Sequence, residues 1–229
     1  MIPAPSAKVE GKACVLVSGG VESAVLVAEA LTRYRKVVPI YVRNHLRWEE
    51  AEMFWLKQYL RSLRAPNLEP LVTFEADARP LYGRHWSVTG TNVPGTKSRD
   101  ESVYLPGRNV MLLSQAGCYA AVNDLGAIEI GILKGNPFSD ASPAFLKKMS
   151  DLLSLGLGMP IEVRAPFQKM KKDQVLLLGK KIQLELTFSC IDPKGYEHCG
   201  ECNKCVERKK AFFSAGIFDR TKYKKSGIA

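Results

Sequence analysis

Ala13-Cys14-Val15-Leu16-Val17-Ser18-Gly19-Gly20-Val21-Glu22-Ser23 decides the fold of this chain. Five apolar residues, enough for a buried strand, run straight into a Ser-Gly-Gly turn, and a helical pattern over 21–34 follows at once. Strand, tight turn and helix in that order open a parallel α/β unit. The turn is also chemically pointed. Glycines let the backbone bend sharply and come close to a ligand, and the free N–H groups at a helix start attract an anion. Ser18, Gly19, Gly20, Val21 and Ser23 therefore form a candidate phosphate cradle at the carboxyl end of a strand, where open α/β sheets hold ligands. No Gly-Lys-Ser/Thr follows, and the spacing is not Gly-x-Gly-x-x-Gly, so neither common nucleotide fingerprint applies. Glu22 sets a carboxylate beside the anion, which makes sense where Mg²⁺ bridges the two. The plainer alternative is an ordinary glycine turn with a solvent-facing glutamate.

Working outward, strand patterns at 12–17, 36–42 and 68–74 alternate with helical patterns at 21–34 and 48–63. The second helix has an acidic first turn, Glu49-Glu50-Ala51-Glu52, which suits the helix dipole. Strands separated by helices predict an α/β fold, an open parallel-stranded sheet flanked by helices. Residues 84–105 break the pattern and read either as a functional lid or as a disordered surface loop. Beyond them come a helix at 109–123, a strand at 127–133, a turn-rich loop at 134–143, a helix at 143–155, a short strand at 161–163 and a basic amphipathic helix at 170–182. The expected division is an α/β domain over 1–183 and a cysteine-bearing segment over 184–229.

Composition bounds the function. The chain has 229 residues, 46% of them hydrophobic, enough for a full core. No apolar run approaches the roughly 18 residues of a membrane span, and residues 1–11 lack the hydrophobic region of a signal peptide, so the expected location is cytoplasmic, away from membranes. The formal charge is +10. It reads either as a solvated basic surface or as attraction for polyanions such as ATP or RNA. The excess gathers near the end, where Arg208, Lys209, Lys210, Arg220, Lys222, Lys224 and Lys225 face only Glu207 and Asp219.

Three further segments carry chemistry. Pro106-Gly107-Arg108-Asn109 breaks the chain just before a helix and sets Arg108 at its mouth, as a planar phosphate ligand or as the partner of a carboxylate. Met170-Lys171-Lys172-Asp173 opens a helix, with Lys172 either meeting phosphates or lying on a solvated face. Cys190-x₈-Cys199-x₂-Cys202-x₂-Cys205 packs four thiols into a short span that can enclose one tetrahedral Zn²⁺, with Gly200 easing the turn. An iron–sulfur cluster is the competing reading, and His198 is a spare ligand. Cys14 and Cys118 lie in apolar runs and read as small core residues.

Ser18-Gly19-Gly20-x-Glu22-Ser23 resembles the Ser-Gly-Gly-x-Asp-Ser loop of the PP-loop ATP pyrophosphatases, with Glu22 in place of Asp. Pro106 to Asn109, Glu185-Leu186-Thr187-Phe188-Ser189-Cys190, Cys199-Gly200-Glu201-Cys202-Asn203-Lys204-Cys205-Val206-Glu207-Arg208 and Ala215-Gly216-Ile217-x-Asp219 with Tyr223 follow in order. Together they resemble the 7-cyano-7-deazaguanine synthase family over nearly the whole chain. The substrate loop departs: Phe138-Ser139-Asp140-Ala141-Ser142-Pro143-Ala144-Phe145 stands where that family has Tyr-Pro-Asp-Cys-Arg-Pro-Glu-Phe.

The resemblance implies an enzyme that uses ATP to adenylate a 7-carboxy-7-deazaguanine-type acid and then uses ammonia to make the amide and the nitrile, releasing AMP and pyrophosphate. It implies that Ser18, Gly19, Gly20, Val21 and Ser23 hold pyrophosphate, that Glu22 holds Mg²⁺ and that Arg108 and Lys172 neutralise phosphate. The sheet edge near Tyr41-Val42-Arg43 would meet adenine. Asp140 would take the amidine edge of the substrate, with Phe138 or Phe188 stacked on its ring. The four cysteines would hold Zn²⁺, and the assembly would be a homodimer. The altered Asp140 loop keeps open a relative that stops at the amide or joins the acid to another amine, such as one on a protein. Two other readings are a PP-loop tRNA-modifying enzyme whose basic terminus binds RNA, and a non-catalytic zinc module that binds nucleic acid.

Overall fold

In a computed structural model of the chain, which describes residues 10–224, five parallel strands lie in the order β3-β2-β1-β4-β5. They are β1 (Glu10–Leu16), β2 (Tyr34–Arg43), β3 (Val72–Glu75), β4 (Ala127–Glu129) and β5 (Glu162–Arg164). The first crossover is α1 (Val21–Arg33), the second α2 (Glu49–Leu63). Two short helices, α3 (Arg79–Tyr82) and α4 (Trp86–Thr89), precede α5 (Arg108–Val122). The chain ends with α6 (Pro143–Leu157), α7 (Lys172–Leu178) and α8 (Asn203–Ser214). This is the expected fold class.

Alternation along β1 divides the interior. Ala13, Val15 and Val17 face one way and pack with Val25 and Leu26 of α1, Val175 and Leu176 of α7 and Phe212 of α8. Cys14 and Leu16 face the other way, against Leu113 and Ala116 of α5 and Leu146 and Met149 of α6. Successive strand side chains point to opposite faces, and a parallel sheet needs helices on both. On the second face α5 and α6 approach closely: a Cβ on Gly117 would lie 2.5 Å from Leu153 Cδ2. The segment from 184 onward joins the same interior through Leu184, Ala211 and Phe212.

Several sequence expectations change in detail. Residues 84–105 are folded rather than loose: they contain α4 and a helical turn, Asp100–Val103. Trp86 stacks on Trp48 with ring centroids 5.7 Å apart. Pro94 O accepts the Asn203 N–H at 2.9 Å, and Gly95 bridges to Cys202. The stretch is a strap across the cysteine segment. The helix expected at 170–182 is confined to α7, bounded by a turn in which the Met170 N–H bonds Phe167 O and by Gly179. β3 begins later than expected, although Leu68 touches Val37 in an isolated bridge. β4 stops earlier, with Ile130 still bonded to Arg164 O. Cys14 is buried as expected, but Cys118 is exposed, because the helical period turns it off the stripe of Leu113, Ala116, Gly117 and Ala120 that faces the sheet. Among the described residues no helix is long and apolar enough to cross a membrane. The opening residues read for a signal peptide, apart from Glu10 and Gly11, lie outside the described residues, as does Lys225.

Candidate active site and metal centre

The chain leaves β1 for β2 and β3 on one side and returns to β4 on the other. The crevice at the carboxyl ends of β1 and β4 is therefore a topological switch point, where α/β sheets bind ligands. The Ser18–Ser23 turn occupies its floor. Gly19 has a φ of +74°, and a Cβ there would meet Glu52 O at 3.2 Å, so glycine is required twice over. Ser23 ties the loop to itself: its hydroxyl donates to Gly20 O at 3.1 Å and accepts the Ser18 N–H at 3.2 Å. The first intrahelical bond of α1 runs from Ala24 N–H to Gly20 O. The N–H groups of Val21, Glu22 and Ser23 thus have no helical acceptor and form an anion cradle. Gly131 closes the back, where a Cβ would stand 3.1 Å from Glu22 Cβ and 3.3 Å from Ser23 N.

Two adjoining cavities open above this loop, sharing Ser18, Glu22, Arg108 and Phe138 as walls. The first is apolar at its base, with Val17, Tyr41, Val42, Leu112 and Ile130. The second is strongly charged, with Glu52, Lys134, Lys172, Lys204 and Glu207 beside Trp48 and Phe188. β2 is an interior strand, which corrects the expectation of a sheet edge at Tyr41-Val42-Arg43. Its pairing with β1 nevertheless stops at Leu16↔Ile40, whereas its pairing with β3 continues to Arg43↔Glu75. The last residues of β2 therefore outrun β1 and reach the first cavity.

Lys172 and Glu22 are brought together rather than kept apart. Lys172 Nζ lies 2.9 Å from Glu22 Oε1 and 2.9 Å from Glu207 Oε1, and Lys204 Nζ lies 2.7 Å from Glu207 Oε2. Burial disfavours the Lys172 charge, but Glu22 and Glu207 outweigh it and hold the ammonium above the ordinary lysine range. Burial likewise opposes the Glu207 charge, and the two lysines pull that carboxyl well below its usual value. Arg108, the first residue of α5, forms no ion pair among the described residues, and its Nε is buried without a hydrogen-bond partner. It is free to receive an anion. Glu52 is buried on the wall of the second cavity and accepts the Tyr41 hydroxyl at 2.6 Å. Burial pushes its carboxyl up to about 8, against the pull of Arg108 and the Tyr41 hydrogen bond.

The three expected substrate residues are divided. Asp140 lines the first cavity, where Oδ2 accepts the Asn109 N–H at 3.1 Å and its carbonyl accepts Asn109 Nδ2 at 2.9 Å, fastening this loop to the start of α5. Phe188 lines the second cavity but is almost wholly buried in the cluster of Leu46, Trp48, Val103 and Leu105, with its ring tilted against His198. Phe138 borders both cavities and stacks on Tyr104, centroids 4.9 Å apart.

The sulfur atoms of Cys190, Cys199, Cys202 and Cys205 all lie within 4.8 Å of one another. Cys190 and Cys202 are 3.8 Å apart and Cys199 and Cys205 3.9 Å. Zn–S bonds of about 2.3 Å in a tetrahedron require S···S separations of about 3.8 Å, so the donor set fits such a metal. Backbone N–H groups of Cys199 and Cys202 point at Cys190 and Cys199 sulfurs, each at 3.3 Å, and support thiolates. Cys202 stands at the position just before α8 and Cys205 lies in its first turn. His198 is not a ligand: its Nε2 accepts the Ser189 N–H at 3.1 Å, and burial pushes its pKa down to about 3, so the ring is neutral.

Sequence reasoning passed over Glu52, Gly131, Lys204 and Glu207. Glu52 looked like one of several dipole-matching carboxylates. Lys204 and Glu207 lay within the cysteine segment. Only Gly131, just past a strand end, carried a signal that could have found it. The basic terminus is also less free than its charge suggests. Arg208 is fully buried, donating to Thr187, Leu184 O and Thr221, and Lys209 Nζ donates to Gly200 O at 2.9 Å.

Comparison with known proteins gives a consistent set. The sequence profile of the family described as queuosine biosynthesis protein QueC matches residues 12–216. A 7-cyano-7-deazaguanine synthase of Leptospira interrogans is 30% identical over 225 residues, covering 91% of this chain and 89% of that one. Its counterpart in Thermoplasma volcanium is 32% identical over 236 residues, covering 93% and 91%. That of Methanocaldococcus jannaschii is 27% identical over 233 residues, covering 93% and 99%.

Proposed function

The chain belongs to the QueC family of queuosine biosynthesis proteins, and from that premise we propose that it converts a 7-carboxy-7-deazaguanine-type acid to the nitrile at the expense of ATP and ammonia. The observation that carries this reading is the convergence of the Val21–Ser23 N–H groups, Arg108, unpaired among the described residues, and the half-buried Lys172 on one switch-point crevice. A carboxylate resists ammonia because its oxygen leaves poorly. Adenylation turns that oxygen into part of AMP, a good leaving group. The acid's oxygen attacks the α-phosphorus of ATP, and pyrophosphate departs into the cradle of Ser18, Gly19, Gly20, Val21 and Ser23.

Arg108 and Lys172 neutralise the phosphate charge, and the chain needs no nucleophile of its own: it supplies alignment and fixed charge. Glu22 would hold Mg²⁺, whose chemistry is to screen the phosphates; doing so requires Glu22 to release Lys172 towards them. Adenine would lie in the apolar first cavity against Tyr41 and Val42, and the deazapurine would enter beside Phe138 and Phe188. Zn²⁺ on the four cysteines would serve only to fasten the segment that carries α8. Ammonia attack yields the amide, and adenylation of the amide oxygen followed by loss of AMP yields the nitrile.

Incubation of the purified protein with 7-carboxy-7-deazaguanine, ATP, Mg²⁺ and ammonium, read by mass spectrometry, tests the reading. The expected product is the nitrile, with AMP and pyrophosphate formed alongside. Accumulation of amide alone would favour the shorter reaction, which the replaced loop residues Ala141, Ser142 and Ala144 support. Absence of AMP would overturn both.

A further inference from the structure

We propose that Glu52 is the general base that deprotonates ammonium for attack on the acyl adenylate. The inference rests on the adenylating function above and adds a residue to it. Ammonium has no lone pair, so one proton must leave before nitrogen can bond to carbon. Five carboxylates line the two cavities: Glu22, Glu52, Asp100, Asp140 and Glu207. Glu22 and Glu207 are committed to Lys172, and Asp140 accepts the Asn109 N–H. Asp100 is exposed to bulk water. Glu52 alone is both buried and without a cation at salt-bridge distance among the described residues, its one hydrogen bond there being from the Tyr41 hydroxyl. Tyr41 lines the first cavity and Glu52 the second, so the pair stands in the wall between nucleotide and acceptor. Gly19 of the phosphate loop packs on Glu52, where a Cβ would lie 3.5 Å from Cγ.

The proton balance closes. An N–H bond of ammonium breaks and its proton passes to a Glu52 oxygen. The freed nitrogen pair attacks the acyl carbon, the carbon–oxygen bond to phosphate breaks with its electrons on AMP, and a second nitrogen proton leaves with AMP. Glu52 then returns its proton to water in the open cavity. The groups that set its titration are Tyr41 on β2, Arg108 on α5 and Glu49 on its own helix. Glu22, Asp100, Lys134, Lys172, Lys204 and Glu207 are the other charged groups on the same cavity. A carboxyl with a value of about 8 lies close to operating pH, where a general base works best.

The test uses the full chain and the variant Glu52→Gln in single-turnover assays that separate pyrophosphate release without ammonium from amide formation with it. The expected result is an unchanged pyrophosphate burst and roughly 10²-fold slower amide formation near pH 7. The deficit should shrink as pH rises and free ammonia accumulates, and it should nearly vanish with hydroxylamine, which is uncharged near neutral pH. Equal losses in both half-reactions, or a deficit independent of pH and nucleophile, would overturn the role. A wild-type chain that releases no pyrophosphate would instead sink the adenylating function itself. Should Glu52→Gln not fold, Tyr41→Phe keeps the carboxylate and removes the bond that stabilises its charge, so the pH limb of amide formation should move upward. An unmoved limb would refute the proposal.

Discussion

Lys172 Nζ sits 2.9 Å from Glu22 Oε1, so the cation expected to meet phosphate and the carboxylate expected to meet a metal ion are paired with each other. Side-chain exposures of 12% and 19% keep the pair shielded without sealing it off. Under the proposed reaction the pair would exchange partners when substrate binds, and that exchange, more than stability, is what it would contribute. Glu22→Gln is expected to lower AMP formation by about 10²-fold and to raise the Mg²⁺ concentration needed for half-maximal rate, with little change in melting temperature. Glu22→Asp should retain most of the rate. Magnesium titrations of both variants check this.

The cysteine cluster predicts one metal ion per chain by elemental analysis. Chelation, or Cys202→Ser, should lower the melting temperature by more than about 10 °C, because α8 and the 84–105 strap lean on the same four side chains. Calorimetry with and without chelator reads the effect.

Arg208 carries a buried charge with no route to water. Its guanidinium donates to Thr187 Oγ1 at 2.8 Å, Leu184 O at 3.0 Å and Thr221 Oγ1 at 2.9 Å, and lies 4.8 Å from the Phe212 ring centroid. Arg208→Met strands these acceptors and is expected to cost about 3 kcal/mol. Denaturant unfolding measures the loss.

Gly131→Ala pushes a methyl against Glu22 Cβ and the Ser23 N–H. The Val21–Ser23 turn must shift by a few tenths of an ångström. KM for ATP should rise about tenfold while the melting temperature stays within a few degrees, which steady-state kinetics can show.

Glu52 predicts a sign in the pH dependence of stability. Its folded value of about 8 lies above the ordinary 4.5. Between those values the folded chain keeps a proton that the unfolded chain has released, so stability falls as pH rises through that window. Glu52→Gln removes the slope. Its melting temperature relative to wild type should increase steadily from pH 5 to pH 8, and a constant difference would contradict the burial assigned to Glu52.

What was legible in the sequence was local. A run such as Ala13 to Val17, ended at once by a Ser-Gly-Gly turn and followed by a helical pattern, reads as a strand buried on both faces, and the turn leaves the next helix start uncovered. Cysteines at such short spacings can be gathered at little loop-closure cost, so their meeting is legible locally. By contrast, Cys118 reads as a core residue in one dimension and lies on the surface in three, because a helix's apolar stripe is fixed by its neighbours and not by any single residue.

Amino-acid order alone therefore determined the strand–turn–helix unit, the Ser-Gly-Gly turn and the cysteine cluster, each legible over short stretches of chain. Only the tertiary structure decided which distant charges share a cavity. It joined Lys172 to Glu22 and Glu207 and, among the described residues, left Arg108 without an ion pair and gave the Glu52 carboxylate only the Tyr41 hydroxyl as a hydrogen-bond partner. Those relationships span the chain, and their energies depend on burial and on ångström-scale distances that become defined only when the sheet, α7 and α8 have packed.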